Sequence, residues 1–76
     1  MRPLRLTPRE KATARCILEG YSEACTASQI GVNHETVKFF THHLYDKTGQ
    51  DNRVGLVMFL LHNPWALSQV MEVMDK

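Results

Sequence analysis

Five side chains between positions 33 and 49 carry the most chemistry at a telling spacing: Glu35, Lys38, Phe39, His42 and Asp46. Placed at 100° per residue, they share one arc of a helix, so a charged and aromatic face looks away from any core. Lys38 and a protonated His42 can donate hydrogen bonds to guanine O6 and N7 or to a phosphate, and Phe39 can touch a thymine methyl or anchor a protein partner. Glu35 and Asp46 act in the opposite sense. A carboxylate there repels phosphate unless it accepts from cytosine N4. An ordinary solvated helix face is the alternative reading of all five. A second basic group, Arg2, Arg5, Arg9, Lys11 and Arg15, leads the chain and can bind phosphates without regard to sequence, or serve as a charged flank.

Other chemistries find little support. The four histidines and the two cysteines, Cys16 and Cys25, show no pair at metal-site spacing, and adjacent His42 and His43 point about 100° apart on a helix, so no metal is expected. No nucleophile stands with a base and an orienting carboxylate, and no cofactor motif occurs, so neither an enzyme nor a bound cofactor is expected. Cys16 and Cys25 sit inside helical patterns and read as small apolar residues, not as a disulfide.

The elements that must position the charged face follow from caps and periodicity. Asn33 can cap a helix and Gly49 can end it, while Val37, Thr41, Leu44 and Thr48 recur on the inward side. Upstream, Thr7-Pro8-Arg9-Glu10 joins a capping box to a proline at the first helical position; the helix carries Thr13, Cys16, Ile17 and Leu18 inward and ends at Gly20. Ser22 caps a shorter helix through Ile30, with Ala24, Cys25, Ala27 and Ile30 as packing residues. Gly31-Val32-Asn33 then turns into the opening helix, which makes a helix-turn-helix pattern. Residues 54–61 are apolar nearly all round and demand cover on two sides. Asn63-Pro64 starts a last helix over 64–75, with Ala66, Leu67, Val70, Met71, Val73 and Met74 on one side and Trp65 outside that arc.

Seventy-six residues allow one domain, 1–76, with a small core, so burial against a partner is expected. The net charge is +1, but residues 1–15 carry five bases against one acid, +4, leaving four bases against seven acids, −3, over 16–76. No secretory signal is recognised and the apolar run 56–61 is too short to span a bilayer, so a cytoplasmic protein without a membrane partner is expected.

With the helices placed, the chain resembles the LuxR/GerE family of bacterial regulators over residues 6–61. The resemblance rests on Leu6-Thr7-Pro8-Arg9-Glu10, Glu19-Gly20, Ser22, Ala27, Gly31, Thr36-Val37-Lys38, Lys47, Gly49 and Asn52-Arg53-Val54, in order and without a gap. It implies an all-α fold of four helices, here with an added fifth amphipathic one, whose third helix enters the major groove of double-stranded DNA and whose fourth makes a dimer. By position it makes Lys38, Phe39 and His42 base-facing and lets Thr36 and Lys47 reach phosphate; Glu35 shares their face by the helical period, and Arg9 and Lys11 of the basic lead are expected as further phosphate contacts. The chain departs from the family pattern at Glu35 and Asp46, at Phe40 where histidine is usual, at Thr13, Thr26 and Thr48 where branched apolar residues are usual, and at Gly55 where a glutamate would complete a cap. The expectation is a small stand-alone homodimer that regulates transcription, paired through Leu56, Phe59, Leu60, Trp65, Leu67, Val70, Met71 and Met74, with the last helix covering the fourth in its own subunit or across the dimer. The alternative is a helix-turn-helix protein with weak or no DNA binding that binds and modulates another protein, such as a larger regulator of the LuxR type.

Overall fold

The computed structural model describes residues 5–71. The described residues form five helices and no strand: α1 (Pro8–Leu18), α2 (Glu23–Ile30), α3 (His34–Thr48), α4 (Arg53–His62) and α5 (Pro64–Met71). Each of the first four begins where a short polar side chain can take an orphan amide. Thr7, Ser22, Asn33 and Asn52 accept from the backbone N–H three residues on, and Glu10 returns the favour to the Thr7 N–H. Gly31 and Gly49 end α2 and α3 in the left-handed region, both at φ 74°, where a side chain would be strained.

One core cluster gathers Ala14, Ile17, Leu44, Leu56, Leu60, Ala66 and Val70, so α1, α3, α4 and α5 meet in it. Four threonines are buried without loss of hydrogen bonding, Thr41 and the three that stand where branched apolar residues are usual in the family. Thr13, Thr26, Thr41 and Thr48 each donate to the carbonyl four residues back, on Arg9, Ser22, Val37 and Leu44, at 2.9, 2.8, 2.8 and 2.8 Å. Their methyl groups can therefore fill space that a valine would fill.

Two expectations are corrected by packing. In α2 the sequence placed Ala24 and Cys25 inward, whereas both are exposed and Thr26 is buried with Ala27. Once the Thr26 hydroxyl is satisfied by Ser22, residues 26, 27 and 30 span a single arc of about 100°, from which 24 and 25 fall away. Cys16 is buried and free, and burial pushes its thiol pKa up, so it behaves as a small apolar group.

The second correction concerns α4 and α5. The chain turns by 106° between them. Asn63 steadies the corner by donating from Nδ2 to the Phe59 carbonyl at 2.7 Å. α5 thereby folds back over α4 and against α1, bringing Ala66 and Val70 into the core. Leu56, Leu60 and Val70, expected at a subunit interface, are instead sealed in the chain's own core at 0, 1 and 0 % exposure. Val73 and Met74 lie outside the described residues. No single helix among the described residues is long and apolar enough to cross a membrane.

Candidate nucleic-acid interface

The helix-turn-helix is held at three points. The Gly31 and Val32 amides both donate to the Ala27 carbonyl, at 2.9 and 3.0 Å, which sets the turn. His34 Nε2 lies 2.8 Å from Glu23 Oε1, clipping the start of α3 to the start of α2. Asn33 Oδ1 accepts from both the amide and the hydroxyl of Thr36, at 2.8 and 2.9 Å. The helix behind this pair is equally fixed. Val37, Thr41, Leu44 and Thr48 are all buried, so the rotation of α3 about its axis is set by its inward face.

That rotation exposes Glu35, Lys38, Phe39, His42 and Asp46 together, as the periodicity requires. Lys38 and His42 line a shallow open groove of about 250 Å³ with Glu23, Thr41 and Tyr45. The His42 ring meets Tyr45 edge-on at 6.2 Å. Burial raises the Tyr45 pKa, so the phenol stays neutral.

Phe39 is 57 % exposed and still held. Its ring centroid lies 4.3 Å from that of His43 and 6.0 Å from that of Phe40. His43 Nδ1 in turn lies 3.3 Å from Glu10 Oε2. His43, weighed from sequence only as a metal ligand, acts here as a support; the signal for it is its four-residue spacing from Phe39, which stacks two rings on one helix face.

Glu10 is the hub beneath this surface, a carboxylate at 2 % exposure. Oε1 accepts from the Thr7 amide at 3.0 Å and from Lys47 Nζ at 2.7 Å. Burial works against its ionisation, but the hydrogen bonds from Lys47 and Thr7, the charge of Lys47 and the His43 contact outweigh it and hold the carboxyl below its usual value.

These ties change two expected phosphate contacts. Lys47 places its ammonium on Glu10 and on the Arg5 carbonyl, each at 2.7 Å, because a buried carboxylate requires a cation beside it. The Thr36 hydroxyl gives its one hydrogen to the helix cap and has none left to donate to phosphate. In the basic lead, Arg15 is paired with Glu19 at 2.8 Å, Lys11 is half-buried and Arg9 is exposed beside Glu10. Arg2 lies outside the described residues.

α4 and α5 also carry exposed apolar side chains. Val54, Met58, Leu61, Trp65 and Met71 are solvent-facing, and Trp65 meets the half-buried Phe59 edge-on at 6.2 Å. Of the residues expected at a subunit interface, Trp65 and Met71 are exposed and Phe59 and Leu67 are half-buried; Val54, Met58 and Leu61, which were not among them, are exposed as well. Among the described residues no three His, Cys, Asp or Glu side chains gather as a metal site.

A family model, described as bacterial regulatory proteins of the luxR family, matches residues 4–60, which takes in α1 to α3 and nearly all of α4 and leaves α5 beyond the match. Comparison with curated proteins and with solved structures gives no match.

Proposed function

This chain belongs to the luxR family of bacterial regulatory proteins, a DNA-binding family, and from that premise we propose that it recognises specific duplex DNA as a homodimer and regulates transcription. The observation that carries the reading is the outer face of α3. It follows a helix-turn-helix, its rotation is fixed from behind, and Lys38 and His42 stand exposed on it with Phe39 between them. A helix presented in this way enters a major groove with its donors toward base edges. The test is a titration of mixed-sequence duplex DNA at several salt concentrations. Binding should be measurable at low salt and fall steeply as salt rises, because each phosphate contact releases a counterion. Lys38→Ala should weaken it by about 1–3 kcal/mol with helical content unchanged. No binding at micromolar protein would sink the proposal.

The dimer rests on the exposed apolar residues of α4 and α5. Val54, Met58, Leu61, Trp65 and Met71 offer five large apolar side chains to water on two consecutive helices, and pairing would bury them. A two-fold pairing of this face would place two copies of α3 on successive half-sites. Sedimentation at micromolar concentration should return a dimer, and Met58→Glu should return a folded monomer. A wild-type monomer of full helical content would overturn the pairing, and would favour a larger regulator of the same family as the occupant of this face.

A further inference from the structure

We propose that Glu35 and Phe39 form a pyrimidine-reading pair, in which the Glu35 carboxylate accepts from the N4 amino group of a cytosine and the Phe39 ring packs on the C5 methyl of a thymine within two base steps of it. This rests on the reading of the α3 face as a major-groove surface. Glu35 lies in the first turn of α3, where recognition helices meet base edges, and Phe39 lies one turn on along the same face. Four residues of helix rise about 6 Å, and stacked bases about 3.4 Å, so the two side chains reach bases one or two steps apart.

The state of each side chain selects its target. Glu10, Glu19 and Glu23 are each paired with a cation or a histidine. Glu35 has no hydrogen bond or ion pair among the described residues and is exposed. Carried into a groove walled by phosphates, a lone carboxylate is repelled unless a base donates to it. The major-groove edge of cytosine offers a donor alone. Guanine offers only acceptors, thymine an acceptor and a methyl, and adenine sets its N7 acceptor beside its donor, where it repels the carboxylate. Phe39 has no polar atom, so on a base edge it gains only from apolar contact, and the thymine methyl is the apolar group in that groove. Its ring is restrained by the His43 ring, which Glu10 holds from below, so little freedom is lost on contact.

The experiment is selection of binding sites from a random-sequence duplex pool with the full chain, then repeated with Glu35→Gln and Phe39→Ala. Wild type should enrich a site holding a cytosine and a thymine within two steps. Glu35→Gln should move the preference at the cytosine toward adenine by about fivefold or more, since an amide pairs with adenine N6 and N7. Replacing that thymine by deoxyuridine, which removes only the methyl, should weaken wild type about fourfold and leave Phe39→Ala unaffected. Both side chains are exposed, so circular dichroism should show both variants folded. A site whose preferences Glu35→Gln leaves unchanged, or equal affinity for thymine and deoxyuridine duplexes, would overturn the pair while leaving DNA binding intact. Salt-sensitive binding without enrichment of any site would do the same. Absence of binding to any duplex would overturn this inference and the DNA-binding reading together.

Discussion

Leu56→Ala is expected to lower the stability of the folded chain by about 3 kcal/mol, read as a shift in the urea midpoint with an unchanged slope. Leu56 is fully buried in the cluster that also holds Ala14, Ile17, Leu44, Leu60, Ala66 and Val70. Truncation there removes one methine and two methyl carbons and leaves a cavity that four helices, α1, α3, α4 and α5, enclose. Native domains hold about 0.05–0.15 kcal/mol per residue in reserve, so a chain of 76 residues can lose a large share of its margin to one such change. The same substitution separates the two roles offered for α4. A core residue costs stability at every protomer concentration, whereas an interface residue costs it only where dimers form. Met58→Ala is the matching control, because Met58 lies on α4 at 45 % exposure. It should leave dilute protein nearly as stable as wild type and act on self-association. If Leu56→Ala abolished dimers while the monomer kept its urea midpoint, the position would belong to the interface after all.

This reversal shows where sequence reasoning ends. The faces of α3 were legible in full, because caps at Asn33 and Gly49 and a 3.6-residue period are local properties of fifteen residues. The capping box at Thr7 and Glu10 was legible for the same reason. What covers an apolar face is a different question. The pattern over 54–74 established two wide apolar surfaces, but their partner was fixed by a 106° turn at Asn63, which no period encodes. Polar partners fail in the same way. Lys47 and Glu10 are 37 residues apart, and nothing in either neighbourhood announces that the lysine nearest the end of α3 would be drawn to the start of α1. The candidate reading face was therefore visible as a face, while the restraints behind it, from Glu10 through His43 to Phe39 and from Asn33 to Thr36, were visible only in three dimensions.

Glu10→Gln should cost about 2–3 kcal/mol at neutral pH and flatten the acid limb of the stability profile. The carboxylate caps α1, neutralises Lys47 and meets His43, so its loss loosens α1 from α3 at two successive turns of the longer helix. The sign of the pH effect follows from the direction of the shift. Glu10 is held below its usual 4.5 in the folded chain, so the fold binds its proton less readily than the unfolded chain does. Its contribution is complete above the unfolded value and is lost as pH falls through the lower, folded one. Wild type should thus lose stability below about pH 5 more steeply than Glu10→Gln, which has no proton to take up. Parallel profiles would show that the buried carboxylate is not what couples α1 to α3. DNA binding gives an independent readout of the same site. With the carboxylate charge gone, the Lys47 ammonium keeps only neutral acceptors, the Arg5 carbonyl and the glutamine amide oxygen, and becomes available to phosphate. Folded Glu10→Gln should therefore bind mixed-sequence DNA no more weakly than wild type, with a salt dependence steeper by about one counterion. An unchanged dependence would mean that Lys47 already meets phosphate in wild type, and that its bond to Glu10 opens when DNA arrives.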